Sequence, residues 1–331
     1  MSLKKAINTW QNGQTPGEVD LFDAMIGYFK SLPCAVVVGT DRTHQHKVTY
    51  TPLPPYDTKW AAQIEKEISD VFFMVFSPSK HIARMTHLQA KLKDKRWPER
   101  NNAHVFSFKL DAGQYHMLHN RLEINDPKGV YPNDILSSPL YSDSVSSYGV
   151  FYKDVNNDYD MAYEIASLIS NPNPVPYKES GSTRVHSFAT TEDLWGYTNL
   201  KHKLNQVDLS YFCPNCRHCC PELLSTMQLK TFENELLKLH VGTRVDFDIT
   251  TMKHLAQIFA TNAKVTKDFG AFIQSQEDIW KEYLNMDAIN RYHEDGGERG
   301  DGGNKHPMEF NFEEIGGTYI LINADMADMR E

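Results

Sequence analysis

The sequence lacks the long apolar segments that membrane proteins need. No run approaches the roughly 18 consecutive apolar residues of a membrane-spanning helix. The first residues, Met1 to Lys5, lead into polar sequence and lack the apolar core of a signal peptide. We therefore expect a cytoplasmic protein, in the host cytoplasm if the chain is viral, where thiols stay reduced.

Signatures of the common enzyme classes are also missing. The sequence contains no P-loop, no His-Glu-x-x-His and no Gly-x-Ser-x-Gly. The Gly-rich stretch at residues 296–300 follows a predicted helix, so it fails as a dinucleotide fingerprint. A zinc deaminase needs a His-x-Glu, which does not occur. These absences favour a non-catalytic protein, although they leave open whether the chain is an enzyme.

An excess of positive charge is absent as well. The chain has 34 Lys and Arg against 43 Asp and Glu, a formal net charge of −9. That balance argues against a protein that coats nucleic acid with its whole surface. The one basic run, Lys91 to Trp97, has two interpretations: a phosphate-binding patch or a solvated helix end.

Cysteine is scarce, with five residues in 331, but four of them cluster at Cys213, Cys216, Cys219 and Cys220. The Cys213-Pro-Asn-Cys216 turn has the form of a zinc knuckle, in which both sulfurs face one cation. The adjacent Cys219 and Cys220 point in opposite directions in an extended chain, so one metal ion is expected to take only one of them. His218 is the favoured local fourth donor. The sequence therefore predicts about one zinc ion per chain.

Other interpretations of the cluster remain open. The second Cys-x-x-Cys of a zinc ribbon is missing. Three of the cysteines also match the first ligands of a ferredoxin-type iron–sulfur cluster, and free thiols or a disulfide are further alternatives. A donor from elsewhere in the chain would come from one of the remote candidates: Cys34, His202, His240 and His254.

Hydrophobic periodicity predicts an α+β (or α/β) fold with an N-terminal mixed sheet and helices. A mainly helical second region carries the Cys-rich loop and ends in a β-hairpin, Met308 to Phe312 with Tyr319 to Ile322. The predicted helices are 18–30, 60–68, 80–93, 158–169 and 223–239, and the predicted strands are 34–39, 71–76, 104–110 and 244–249. The predicted organisation is a flexible arm at 1–17, an α/β domain at 18–157, a connecting helix and Pro-rich spacer at 158–200, and the Cys-cluster region at 201–331.

An aromatic, turn-rich stretch at residues 111–157 supplies the predicted interaction surface, with Tyr141, Tyr148 and Tyr152 as its contact residues. On this basis the first hypothesis is a homo-oligomeric assembly protein that binds another protein or protein complex. Viral (phage) accessory factors that inhibit a host complex are of this type. The alternative is a metal-dependent enzyme on phosphodiesters or nucleic acid, with Asp246 and Asp248 as magnesium ligands beside the basic run near Lys93.

Overall fold

The computed structural model describes fourteen stretches of the chain. They are residues 1–9, 15–39, 46–53, 63–92, 105–106, 109–154, 156–169, 182–184, 188–189, 225–227, 229–245, 249–259, 264–283 and 317–328.

Helices and strands are interspersed along these stretches. The helices are α1 (Leu3–Thr9), α2 (Glu18–Lys30), α3 (Ala112–His119), α4 (Leu229–Leu237), α5 (Ile249–Ile258), α6 (Lys264–Tyr283) and α7 (Ala324–Asp328), with short 3-10 turns at Asp143–Val145 and Ala166–Leu168. The strands are β1 (Ala35–Val38), β2 (Lys47–Tyr50), β3 (Ile64–Glu67), β4 (Val71–Ser77), β5 (Ile82–Leu92), β6 (Val105–Phe106), β7 (Lys109–Asp111), β8 (Ile124–Asn125), β9 (Ser146–Lys153), β10 (Tyr159–Ile165), β11 (Ser182–Arg184), β12 (Phe188–Ala189), β13 (Ser225–Met227), β14 (Thr243–Arg244) and β15 (Thr318–Asn323).

Most of these strands form one mixed sheet in the order β1-β15-β4-β5-β9-β10-β13, with β14 also paired to β5. The β15–β4 and β5–β9 pairs are parallel, and the other pairs are antiparallel. A second, three-stranded sheet has the order β3-β2-β8, and two further two-stranded ladders join β11 to β7 and β12 to β6. The protein therefore has a mixed α+β fold, as predicted from the sequence at this coarse level.

Both faces of the main sheet are buried. Along β4 the side chains alternate: Val71, Phe73 and Val75 enter one core, and Phe72, Met74 and Phe76 enter the other. The first core lies under α1, α2 and α4. The second lies under α3, α5, α6 and the three-stranded sheet. Full burial of each large apolar side chain contributes roughly 1.5–3 kcal/mol, so these two layers dominate the stability of the fold.

Several predicted elements are wrong in type. The segment expected to be a helix at residues 80–93 is strand β5, and the one at 158–169 is mainly strand β10. Within the expected helix at 60–68, the described residues Ile64–Glu67 form strand β3. Each of these segments pairs with the strand that precedes it in the chain, so strand pairing overrides a helical spacing of apolar residues.

The N-terminal residues also differ from the expected loose arm. Residues 3–9 form α1, which buries Leu3 and Ile7 in the core. Lys4 Nζ lies 2.8 Å from Asp154 Oδ2 and 2.7 Å from Asp160 Oδ2, which ties the helix to β9 and β10. Trp10, the aromatic residue of the predicted arm, lies outside the described residues.

In the second half of the chain the predicted elements are only partly in place. Helix α4 begins at Leu229 rather than at residue 223, and the strand expected at 244–249 is short, with α5 beginning at Ile249. Both edges of β15 are occupied, by β1 and by β4. The Met308 to Phe312 half of the predicted hairpin lies outside the described residues. The main sheet therefore contains strands from both sides of the predicted domain boundary.

Candidate functional site

The residues predicted to bind zinc (Cys213, Cys216, His218, Cys219 and Cys220) all lie outside the described residues, as do Asp246, Asp248 and His202. Cys34 is fully buried and packs in the core beneath α2. His240 is half-buried and contacts Glu235 on α4. Within the described stretches, no group of three or more His, Cys, Asp or Glu side chains is arranged to hold a metal ion.

The predicted interaction tyrosines are inside the core, which corrects the expectation of an exposed aromatic surface. The exposed fractions of Tyr141, Tyr148 and Tyr152 are 1%, 0% and 4%. Tyr148 and Tyr152 belong to β9, which is flanked by β5 and β10 and covered on both faces. Strand pairing, which the local sequence does not reveal, turns these side chains inward. They do not form a contact surface of the folded chain.

A different group of polar side chains is buried between the main sheet and the three-stranded sheet. His87 lies on β5 opposite Phe72 of β4 and is fully buried. Its Nδ1 is 3.2 Å from the Oγ of Ser69, the residue two positions before β4 begins. Ser69 lies in the short junction between β3 and β4, so this junction places a hydroxyl group beside the buried imidazole.

The hydrogen bonds continue beyond Ser69. The Tyr131 hydroxyl, from the loop after β8, is hydrogen-bonded to Ser69 and to the hydroxyl of Tyr319 on β15. The four side chains His87, Ser69, Tyr131 and Tyr319, here called the polar chain, thus connect β5, the β3–β4 junction, a loop and β15. All four are at most 5% exposed. A chain of buried hydrogen bonds such as this fixes its members more firmly than isolated pairs do.

A second histidine lies against the polar chain. The rings of His46 and His87 each pack edge-on against Tyr131, with ring centroids 5.2 Å from the Tyr131 centroid in both cases. His46 directly precedes β2 and is 1% exposed. Its Nε2 is 2.9 Å from Asp126 Oδ2. Tyr131 is therefore held between two imidazoles in the interior.

Asp126 organises the loop that supplies Tyr131. Its carboxylate accepts backbone N–H bonds from Lys128 at 2.9 Å and from Val130 and Tyr131 at 2.8 Å each. Burial alone would raise the pKa of Asp126, but hydrogen bonds from His46 and from these backbone groups outweigh burial and hold the pKa below its usual value. Asp126 is therefore an ionised anchor with several donors already on its two oxygens.

The polar chain itself is uncharged at neutral pH. Burial, assisted by the proximity of His46, lowers the pKa of His87 to about 3. Burial and the neighbouring Tyr319 raise the pKa of Tyr131 well above its usual value. Burial likewise raises the pKa of Tyr319. His87 is thus a neutral imidazole, and both tyrosines keep their hydroxyl protons.

No family model, curated protein or solved structure matches this chain.

Three ring nitrogens in this cluster lack a hydrogen bond of good geometry among the described residues: His87 Nε2 and both nitrogens of His46, although His46 Nε2 lies 2.9 Å from Asp126 Oδ2. Buried polar atoms in folded proteins are almost always hydrogen-bonded, because an unsatisfied one costs about 1–3 kcal/mol. A bound molecule is one explanation of such an exception. We therefore take this cluster as the candidate functional site.

A pair of carboxyl groups, those of Glu67 and Asp70, lies nearer the surface. Glu67 is the last residue of β3, and Asp70 directly precedes β4. Burial and the nearby Asp70 carboxylate raise the pKa of Glu67 to about 8. Asp70 Oδ2 accepts the backbone N–H of Ala90 at 2.6 Å, and Lys91 Nζ lies 4.0 Å from the same oxygen. Glu67 is therefore mostly protonated at pH 7, whereas Lys91 offsets the charge of Asp70.

Sequence reasoning did not identify His46, Ser69, His87 or Asp126. Residues 82–90 mix apolar residues with Arg84, Thr86, His87 and Gln89, so the sequence does not distinguish His87 from its polar neighbours. His46 and Asp126 carry no local pattern that distinguishes them from surface residues. None of the helices in the described part of the chain is long and apolar enough to cross a membrane.

Proposed function

We propose that the chain is a non-catalytic binding protein that holds a small molecule against the polar chain, between the main sheet and the three-stranded sheet. The observation that carries the proposal is the fully buried His87 Nε2, which has no partner among the described residues although the Nδ1 of the same ring bonds Ser69. Small-molecule sites combine apolar walls with a few oriented polar groups. Here Phe72, whose ring centroid is 4.8 Å from that of His87, supplies one such wall.

Protonation states support binding rather than acid–base chemistry. A general acid or base works best when its pKa lies near the operating pH. The pKa of His87 is about 3, and those of Tyr131 and Tyr319 are raised. These groups hold fixed hydrogen-bonding roles at neutral pH, which suits recognition.

The proposal is tested by a thermal-shift screen with nucleosides, sugars, amides and carboxylates. We expect at least one compound to raise the melting temperature of the wild type and of the control His240→Gln, but not of His87→Phe. Tyr319→Phe removes only one hydroxyl, so it provides a second variant if His87→Phe does not fold. A screen in which every compound acts equally on wild type and both site variants would overturn the proposal.

The role in assembly and the zinc site stay predictions. The predictions of a protein partner, a homo-oligomer and a viral origin depend on general features of the sequence and on a Pro-rich spacer outside the described residues.

We expect elemental analysis of protein purified under reducing conditions to find about one zinc per chain, with loss of metal in Cys213→Ser. Protein free of both zinc and iron would reject the metal site. The alternative of a phosphodiester enzyme rests on Asp246 and Asp248, and no contact in the described stretches favours it.

A further inference from the structure

Tyr131 is a buried residue of the candidate site that is carried by a surface loop. Tyr131 itself is 3% exposed, whereas Pro127 and Lys128 before it and Asn133 after it are exposed. The residues 126–131, here called the Tyr131 loop, therefore run from the surface into the candidate site. The members of the polar chain on β5 and β15 are fixed more firmly, because both strands are paired on both sides.

Hydrogen bonds within the Tyr131 loop make it a compact unit. Besides the three backbone N–H groups that its carboxylate accepts, Asp126 accepts the N–H of Gly129 at 3.0 Å with its carbonyl oxygen. The base of the loop is closed by the N–H of Ile124, which donates to the carbonyl of Asn133 at 2.9 Å. A loop whose ends are held together and whose interior is bonded can swing about its base as one piece.

Side chains of the Tyr131 loop attach it to the two sheets. Asp126 Oδ2 lies 2.9 Å from His46 Nε2. Tyr131 packs between the two imidazoles, and its hydroxyl bonds the polar chain. Val130 adds a fully buried aliphatic side chain. The attachments of Asp126 and Tyr131 go to the candidate site itself, so release of the loop would uncover that site.

We propose that the Tyr131 loop is a lid over the candidate site, and that the contact between Asp126 and His46 is its latch. When the lid swings out about its base, Tyr131 leaves His87, and this imidazole becomes accessible to a small molecule from solvent. The inference rests on the proposed function for what the opening serves. A buried binding site needs an entrance, and loops that open and close commonly provide it.

The test measures how His87 becomes accessible in the full chain. Diethyl pyrocarbonate acylates neutral imidazoles, and mass spectrometry identifies the modified histidines at urea concentrations below the unfolding transition. Cys34, which is fully buried in the opposite core, is followed with an uncharged thiol reagent and reports global unfolding. The rate of local opening depends little on urea because it exposes little surface, whereas global unfolding depends on it steeply. We expect the first behaviour for His87 and the second for Cys34.

A variant of the latch provides the second measurement. Asp126→Asn keeps the shape of the side chain but removes its charge, and hydrogen bonds to charged groups are the stronger ones. We expect it to raise the rate of His87 modification about tenfold and to leave that of Cys34 unchanged. Asp134→Asn is the matched control, because Asp134 is exposed just beyond the base of the loop. It should change neither rate.

The other outcomes are distinct. Equal urea dependence for His87 and Cys34 in the wild type would mean that the site opens only on global unfolding, which overturns the lid even if Asp126→Asn does not fold. If His87 reacts by local opening but at the same rate in wild type and Asp126→Asn, the entrance lies elsewhere and the lid is again wrong. Neither result decides whether the site binds a small molecule, which the thermal-shift screen tests separately.

Discussion

His87 is a polar residue in the middle of a buried strand, and its protonation is linked to folding. Its pKa is about 3 in the folded chain because burial disfavours the imidazolium, whereas an unfolded histidine titrates near 6.5. Between these values the unfolded state binds the proton and the folded state does not. Stability is therefore fully present above about pH 6.5 and is lost as the pH falls toward 3.

Replacement of His87 by Phe should remove this part of the acid sensitivity. Between pH 7 and pH 5 a histidine that stays neutral only in the folded state costs about 2 kcal/mol of stability. From pH 7 to pH 5 the free energy of unfolding should fall in both proteins. We expect the fall to be about 2 kcal/mol smaller in His87→Phe than in the wild type. Urea denaturation at the two pH values measures both.

The matched control is His240→Gln, which removes a half-buried imidazole. It shows whether the loss of an imidazole outside the polar chain produces the same change. Equal losses in wild type and His87→Phe would contradict the assignment of His87 as a buried neutral ring. His116, whose pKa burial and His119 lower to about 4, contributes with the same sign and remains in both proteins.

The protonation of Glu67 makes stability depend on pH in the opposite direction. Its pKa is raised to about 8 by burial and by Asp70, so the folded state retains a proton that the unfolded state releases near 4.5. Stability is therefore lost as the pH rises from about 4.5 to 8, by at most about 1.4 kcal/mol per pH unit and by less where solvent screens the group. We expect Glu67→Gln to be more stable than the wild type at pH 8 and similar to it at pH 4.5.

Glu65, on the same strand and exposed, provides the comparison for Glu67. Denaturation of Glu65→Gln should show no such pH-dependent gain. If Glu67→Gln is no more stable than wild type at pH 8, the carboxyl is ionised and solvated in the folded chain, and the burial argument is wrong.

The burial of individual residues, and their proximity in space, could not be predicted from the sequence. Tyr148 and Tyr152 are surrounded by serine, glycine and asparagine, which predicts an exposed stretch. Their burial depends on β5 and β10, which pair with β9 on either side, and the pairing with β5 joins segments about 60 residues apart. His46 and His87 approach the same tyrosine from different sheets, and no spacing in the sequence records that proximity.

At the scale of elements, strands that are buried on both faces are the ones that the sequence pattern predicts wrongly. Ile82, Met85 and Leu88 in β5 have the spacing of one helix face, yet Met85 enters one core while Ile82 and Leu88 enter the other. A strand covered on both faces needs no alternation of polar and apolar residues, so its pattern does not distinguish it from a helix. By contrast, α2 and β4 were predicted at their observed positions because each has a clear apolar pattern and recognisable ends.

Two glycines in different elements should respond oppositely to the same substitution. Gly242 precedes β14 with φ +88°, and a Cβ there would lie 2.4 Å from the backbone oxygen of Met85. We expect Gly242→Ala to destabilise the chain by at least about 1–2 kcal/mol, from the left-handed backbone alone.

Gly270 lies inside α6, and a Cβ at this position would meet nothing within 4 Å. Gly270→Ala should stabilise the chain by about 0.5–1 kcal/mol, because alanine loses less backbone freedom on helix formation. Melting temperatures of the two variants beside wild type test both statements. A stabilised Gly242→Ala would mean that β14 does not dock on β5 as described.

At the scale of the whole molecule, the ends of the chain meet. Strand β15, near the C-terminus, lies between β1 and β4 near the N-terminus. Helix α1 packs with α4, through Leu3 N–H to Glu233 Oε2 at 2.8 Å. The α+β class could be predicted from sequence because it needs only the presence of both element types. The placement of β15 could not, since parallel pairing of distant strands has no local signal.

This closure also assembles the candidate site. Tyr319 comes from the C-terminal strand, and His46, Ser69, His87 and Tyr131 come from the first half of the chain. The site therefore exists only when both ends of the chain are folded together. Binding of a ligand there would stabilise the whole sheet rather than one element.

The most direct measurement is a diffraction structure of the full chain soaked with a compound that raises its melting temperature, at a resolution that separates single atoms. The account predicts continuous density larger than one water molecule, with a polar atom about 2.7–3.2 Å from His87 Nε2. Density for a single water, or a protein atom bonded to His87 Nε2, would contradict it.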